Sequence, residues 1–403
     1  MRILFVTEQF PYPLHDGGNL RSYHLLRGLS EEHEVRLLSH APADMTSIAQ
    51  LQSVCQVEVL PPVAKMRRLA RNLLRPGAWR QPTFLWKGRS QPLLERLIAR
   101  LQGESFDAIH FNHLDTACFA AEFRWPQLQV FDSHNCLSLM EARRRAKRSE
   151  VPWASWHDRE IAALRRWEAA VCRRTTLTLA CSHLDAEAFR NLYPDAQVEV
   201  VSNGVDAEYF RPGSPISEEP GALVFTGTMS YGPNEEAAHF FCKEILPILR
   251  QRNTSVRAYF VGRNPSSRVR ALHDGNAVHV TGAVDDVRPY LHRAQAVIVP
   301  LRHGGGTRLK ILEAFAMGKS VVSTSVGAEG IPVVDGENIL LADTPIAFAE
   351  AIERLLRDAD YRRQLADEAR RFAQSQFDWR LVRRRLLSIY ADLSQRHVIP
   401  LIA

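Results

Sequence analysis

Apolar positions along this chain follow two alternating patterns. Short runs rich in Val, Ile, Leu and Phe, at residues 2–7, 34–39, 56–60, 107–112, 130–132, 176–180 and 198–201, read as buried strands. Between several of them lie stretches with helical spacing, at 19–29, 160–174 and 184–191. The alternation restarts further on, with strands at 222–227, 256–261, 278–282 and 296–300 and helices at 235–250, 287–293, 346–356, 362–374 and 380–395. Strand and helix in alternation predict parallel sheets covered on both faces, an α/β doubly wound architecture in two halves. The segment SNGVDAEYFRPGSPISEEPG has no period and collects Gly, Pro and acids, so it reads as a junction. The expected domains are therefore 1–204, a linker at 205–220, a second domain at 221–378, and a last helix at 379–403 long enough to cross back to the first half.

Composition narrows the class. The chain has 403 residues, enough for two full cores, and no apolar run approaches the length that spans a membrane. The opening MRILFVTEQF breaks after a few apolar residues and reads as a first strand, not a signal peptide, so a cytoplasmic protein is expected. Six cysteines lie apart without CxxC spacing, which predicts neither a disulfide framework nor a metal site. The net charge of +6 is unevenly placed: residues 61–100 hold ten Lys or Arg against the single acid Glu95, a local +9 that leaves the remainder at −3. Arginines there alternate with Leu69, Leu73, Leu74, Trp79, Phe84, Leu85 and Trp86. That pattern suits an anionic membrane surface, and equally a solvated helix covering the core. No recognised binding motif accompanies it, so nucleic acid is not expected as a partner. A second basic run, Arg143, Arg144, Arg145, Lys147 and Arg148, reads as a solvated helix face.

The first half opens as strand, loop, helix, yet lacks the GxGxxG fingerprint, which disfavours a nicotinamide enzyme. Its pair Gly17 and Gly18 at a helix start suits a phosphate, a sugar or a plain turn. Two strands end in polar residues, HFNHLD and SHNC, where open α/β sheets bind ligands, so Asn112, His113, His134 and Asn135 are site candidates.

The richest chemistry lies in PLRHGGGTRLKILEAFAMGKSVVSTSVGAEGI, a strand end, glycine loop, short helix and second strand. Gly304, Gly305 and Gly306 remove every Cβ where the chain enters a helix, so the amides around Thr307 can approach an anion, with Arg308 and Lys310 adding fixed charge. Glu313, one turn further, is poorly placed for phosphate and well placed to accept hydrogen bonds from sugar hydroxyls. A nucleotide diphosphate offers both groups together. The plainer alternative is a packing turn with Lys310 and Glu313 as an exposed ion pair.

These features in this order, a glycine pair after the first strand, SHN, SNGVDAEYFRP, FTGTMSYGPNEEA, TGAVDDVRPYL and the glycine-rich motif, resemble glycosyltransferase family 4, of the GT-B fold, over essentially the whole chain. The resemblance implies two Rossmann-like domains facing a cleft. It implies a retaining enzyme that moves a hexose or related sugar from a nucleotide diphosphate sugar to a glycan or lipid-linked acceptor, without a metal or other cofactor, in the cytoplasm or at the inner face of the membrane. By the same resemblance Glu313 holds the nucleotide ribose, and Gly17 and Gly18 lie near the donor phosphates. His134 stands beside the transferred sugar, and Val284 lies in the segment that touches the base. Gly227, Thr228, Arg263 and His303 join the donor-binding set, and Asn112, His113 and Asn135 the acceptor side. Two departures follow. The first of the family's usual two glutamates falls on Gly305, and its usual Arg and Lys fall near Thr228 and Asn234. The diphosphate charge is then expected to rest on Arg308 and Lys310, helped by the loop amides and Arg263. A nucleotide-sugar epimerase of the same fold, or a non-catalytic basic membrane-surface or nucleic-acid binding protein, are the competing readings.

Overall fold

The strands form where β-branched and aromatic residues run together, and every strand pairing between them is parallel. In the computed structural model, which describes residues 1–397 apart from 15, 43, 76, 147–153, 214, 215 and 253, the chain divides into two units. Met1–Ser202 and the segment from Val382 make up the first, and Asn203–Leu381 the second.

Unit 1 holds β1 (Arg2–Thr7), β2 (Glu34–His40), β3 (Gln56–Leu60), β4 (Ala108–Asn112), β5 (Leu128–Ser133), β6 (Leu177–Ala180) and β7 (Val198–Val200), in the spatial order β3-β2-β1-β4-β5-β6-β7. The order reverses between β1 and β4, so the carboxyl ends of those two strands border the crevice where such sheets take ligands. Register aligns Thr7 with Asn112 and Asn112 with Asp132, a row of polar residues across three strand ends. Residues 3–6 of β1 and all of β4 and β5 are buried, with Phe111, Phe119, Phe131 and Phe189 filling the space under the helices. The C-terminal helix Trp379–His397 belongs to this unit from Val382 onward. Tyr390 is wholly buried there and its hydroxyl lies 2.7 Å from His110 Nδ1.

Unit 2 holds β8 (Ala222–Thr226), β9 (Arg257–Val261), β10 (Val278–Gly282), β11 (Ala296–Val299), β12 (Val321–Ser323) and β13 (Leu340–Leu341), in the order β10-β9-β8-β11-β12-β13. Here the reversal falls between β8 and β11. Phe225, Phe241, Phe260 and Phe315 anchor its core.

Three expectations change. The helix expected at 235–250 begins at Gly232 and carries a π-helical turn over Phe241–Ile245, just before Pro247, whose ring cannot follow its own preceding turn and which has no N–H to donate. The segment expected as a linker starts inside unit 2: Val205 and Ala207 are buried in its core, and Val205 N donates to Phe377 O at 2.7 Å. Third, most of the basic stretch at 61–100 is ion-paired. It folds as helices Lys65–Leu73, Thr83–Gly88 and Gln91–Gly103. Arg68 pairs with Glu8, Arg71 with Glu95, Arg75 and Arg89 with Glu122, and Arg96 and Arg100 with Glu58. Lys65, Arg67, Arg80 and Lys87 have no acidic partner among the described residues, and Met66, Leu73, Leu74 and Trp79 are exposed beside them. In the second basic run Arg144 pairs with Glu141 and Arg145 with Asp158, while Lys147 and Arg148 lie outside the described residues. No helix among the described residues is long and apolar enough to cross a membrane, and no disulfide joins the cysteines.

Candidate active site

In unit 1 the sequence candidates gather at the carboxyl ends of β1, β4 and β5. Asp16 caps the helix Gly17–Leu29 by accepting from Asn19 N at 2.9 Å, which fixes Gly17 and Gly18 in the first turn. A Cβ on Gly18 would stand 3.4 Å from His134 Nδ1, so the imidazole lies within van der Waals reach of the helix start. His134 Nε2 lies 3.0 Å from Asn112 Oδ1 and 3.5 Å from Asp132 Oδ2. Asn112 is buried, and its Nδ2 donates to Thr7 Oγ1 at 3.0 Å and Ser22 Oγ at 2.9 Å. Its amide is thus spent inside the sheet, and it positions His134 where direct acceptor contact was expected.

His113 takes φ 72°, a conformation a non-glycine residue seldom adopts, held by its N–H to Asp132 O at 2.8 Å. Its ring packs 5.0 Å from His134 and 5.1 Å from Phe84. Burial, and next the neighbouring His134, push its imidazole down to about 3, so it is neutral at pH 7. The loop that carries His134 and Asn135 is clamped from several sides. Cys181 Sγ donates to His134 O at 3.1 Å, Ser133 Oγ to Asn135 O at 2.8 Å, and Cys136 N to Asp185 Oδ1 at 2.8 Å. Glu168, buried, accepts from Leu137 N at 2.6 Å.

Beneath this loop sits a pair the sequence reading missed. Arg21 Nη2 meets Asp132 Oδ1 at 2.5 Å with both side chains buried, and Arg21 Nη1 donates to Val201 O at 2.7 Å. Burial alone would raise the Asp132 carboxyl. The Arg21 guanidinium and the His134 hydrogen bond outweigh it and hold the group well below the usual carboxylate range. The available signal was Arg21 one helical turn after Gly17, on a helix face that otherwise carries Leu25.

In unit 2 the candidates gather where β8 and β11 part. Gly304 (φ 126°) and Gly306 (φ 76°) occupy conformations that favour glycine. Arg308 folds back onto this loop: its Nη1 donates to Gly306 O at 3.1 Å and also to Gly305 O, and the residue is buried. His303 Nδ1 lies 3.5 Å from Glu236 Oε2, and the Thr307 hydroxyl is shielded without a hydrogen-bond partner among the described residues. Val284 packs on the edge of the core, in the loop where Asp286 Oδ1 accepts from Arg288 N at 2.9 Å.

Lys310 and Glu313 project from the helix Leu309–Ala316, whose apolar residues Ile311, Leu312, Ala314 and Phe315 are buried. Both are half-buried, and they form no ion pair with each other. Lys310 Nζ donates to Asn234 Oδ1 at 3.0 Å and stands 3.8 Å above the Phe225 ring. Burial, and next the Arg308 charge, push its ammonium down to about 7. Burial pushes Glu313 up to about 7 against the pull of Lys310, and its carboxyl has no hydrogen-bond partner among the described residues. Thr228 Oγ1 accepts from Arg263 Nε at 3.3 Å. Among the described residues no group of His, Cys, Asp and Glu could hold a metal ion.

Two parallel α/β units, each with polar and charged side chains at the switch point of its sheet, define the GT-B fold. Residues 15–209 match the family model described as Glycosyltransferase Family 4, and residues 220–358 the one described as Glycosyl transferases group 1. Both models describe glycosyltransferases, they cover most of the chain between them, and family 4 fits its first unit. An uncharacterized 44.6 kDa protein in the cps region of Klebsiella pneumoniae is 23% identical over 164 residues, 39% of this chain and 42% of that protein. D-inositol 3-phosphate glycosyltransferase of Frankia alni is 26% identical over 313 residues, 71% of this chain and 74% of that protein. The chain spans about half the length of most of the curated relatives it matches. The solved structure of Anabaena Alr3699/HepE in complex with UDP and glucose superposes with a TM-score of 0.68 at 17% identity, covering 97% of this chain and 99% of that one.

Proposed function

We propose that this protein transfers a hexose or related sugar from a nucleotide diphosphate sugar to a lipid-linked or surface-glycan acceptor, with retention at the anomeric carbon. The observation that carries the reading is the pairing, on one short helix at the β8/β11 switch point, of a half-buried ammonium without an acidic partner and a half-buried carboxyl without a hydrogen-bond partner, both among the described residues. An anion satisfies the first and a ribose hydroxyl pair the second. Together they describe a nucleoside diphosphate.

In the reaction the bond from the anomeric carbon to the phosphate oxygen breaks and negative charge grows on the departing diphosphate. Lys310 stabilises that charge, and more so in the transition state than before it. Arg308 holds the glycine loop in shape and adds its field from within. The sugar acquires oxocarbenium character. The acceptor hydroxyl attacks on the face the diphosphate leaves, and its proton passes to the departing phosphate oxygen, so no protein base is needed. Lys65, Arg67, Arg80 and Lys87, with exposed Met66, Leu74 and Trp79, would bring unit 1 to the anionic inner face of a membrane that holds the acceptor. Proton NMR of the first-formed product reads the anomeric coupling. A product with the donor's configuration supports the mechanism, and an inverted one removes it.

A further inference from the structure

The loop after β8 leads from Gly227 into the helix Gly232–Phe240 at the switch point of unit 2. Thr228 and Asn234, at its two ends, are neutral, yet each has a cation from elsewhere in the chain on its side-chain oxygen. Arg263, from the loop after β9, donates through Nε to Thr228 Oγ1 at 3.3 Å. Lys310, from the helix Leu309–Ala316, donates through Nζ to Asn234 Oδ1 at 3.0 Å. Neither cation has an acidic partner within ion-pair distance among the described residues, in a protein where Arg21, Arg89 and Lys319 each meet a carboxylate. A shielded ammonium with one neutral acceptor keeps further N–H donors available and is costly to bury without an anion.

The backbone is shaped around this arrangement. A Cβ on Gly227 would stand 3.0 Å from Lys310 Nζ and 2.8 Å from Asn234 Nδ2. One on Gly262 would fall 1.7 Å from Gly227 O, so only glycine lets the loops after β8 and β9 meet and bring Arg263 beside Thr228. Met229 N donates to Arg263 O at 2.9 Å across the same junction.

We propose that Arg263 and Lys310 are a relocated cation pair that binds the diphosphate, held by Thr228 and Asn234 as positioning residues. They place positive charge near the two positions where the family pattern calls for Arg and Lys and this chain has neither. The proposal rests on unit 2 being a nucleotide diphosphate site, and it says which groups neutralise the diphosphate and from where in the chain they come.

Titration calorimetry of the full chain tests it, with inorganic pyrophosphate as a base-independent probe alongside UDP, GDP, TDP and ADP. K310M and R263M should each weaken pyrophosphate by about tenfold or more, as expected for loss of a charge-assisted contact. N234K/K310M and T228R/R263M, which return the charge to the family positions, should recover affinity to within about threefold. If a double variant melts low, rescue of K310A by added ethylammonium reads the same site. Wild-type affinity in both single variants overturns the proposal, as does failure of recovery in well-folded doubles together with failure of ethylammonium rescue. Absence of any binding by the wild type overturns the functional reading itself and this inference with it.

Discussion

Replacing Arg21 by Met tests whether the polar row under the His134 loop is a single electrostatic unit. The guanidinium is buried and meets the Asp132 carboxylate through Nη2 at 2.5 Å and Nε at 3.0 Å, with Nη1 on Val201 O. Methionine fills much of the same volume but leaves a fully buried carboxylate with, among the described residues, His134 at 3.5 Å to answer it. Removing one partner of such a pair costs about 3–5 kcal/mol, because the other charge stays behind in a dry site. For a unit of this size that corresponds to a fall in melting temperature of roughly 6–20 °C. Asp132 is held below the ordinary carboxylate value, so in the wild type its contribution is complete at neutral pH and is lost only on acidification below that value. In R21M the carboxyl can shed its charge by taking a proton, so the deficit should be largest near pH 8 and shrink toward pH 5. R21M/D132N should recover part of it at neutral pH. Differential scanning calorimetry across that range measures all three proteins. A single variant that melts within about 2 °C of wild type at pH 7.5, or a double variant less stable than the single, refutes the reasoning.

Other outcomes follow from the same geometry. Anion binding raises the Lys310 pKa from about 7, so nucleoside diphosphate affinity should fall as pH rises above 7, an effect K310R should abolish in calorimetric titrations from pH 6 to 9. Burial raises Glu168 from 4.5 to about 7, so the folded state holds the extra proton and the wild type should lose stability as pH rises through that window, by on the order of 3 kcal/mol. E168Q, which can still accept from Leu137 N, should show a flatter melting profile from pH 4.5 to 7.5. L74E/W79E should melt as wild type yet lose sedimentation with vesicles rich in phosphatidylglycerol. Equal sedimentation of both proteins, or none by the wild type, would remove the membrane reading.

The strands other than the two-residue β13, which was not expected, were legible because each is a short apolar run between turn residues; residues 56–60 and 278–282 have the same bounds in sequence and structure. The two-unit plan was legible for the same reason. What escaped depends on partners far away in the chain. The charge run at 61–100 looks exposed when read alone, and only the folded sheet brings Glu8, Glu58 and Glu122 to it. Arg21 and Asp132 are 111 residues apart, and nothing local in either announces the other. The candidate donor motif was readable because its glycines, Lys310 and Glu313 fall within ten positions, where helical geometry alone fixes their neighbours. The meetings of Lys310 with Asn234 and of Arg263 with Thr228 required the order of β8, β9 and β11, which no local pattern states. Likewise the turn of Arg308 into its own loop is a choice of rotamer, and its position suggested only a cation near the helix start.

Binding of the nucleotide part is the most direct test of the central claim. Wild type and E313Q are titrated with UDP, GDP, TDP, ADP and pyrophosphate under one condition. At least one nucleoside diphosphate should bind the wild type, E313Q should weaken it about tenfold or more by loss of the ribose contact, and pyrophosphate binding should be unchanged. No binding of any nucleoside diphosphate to the wild type, or equal binding by E313Q, would contradict the central claim.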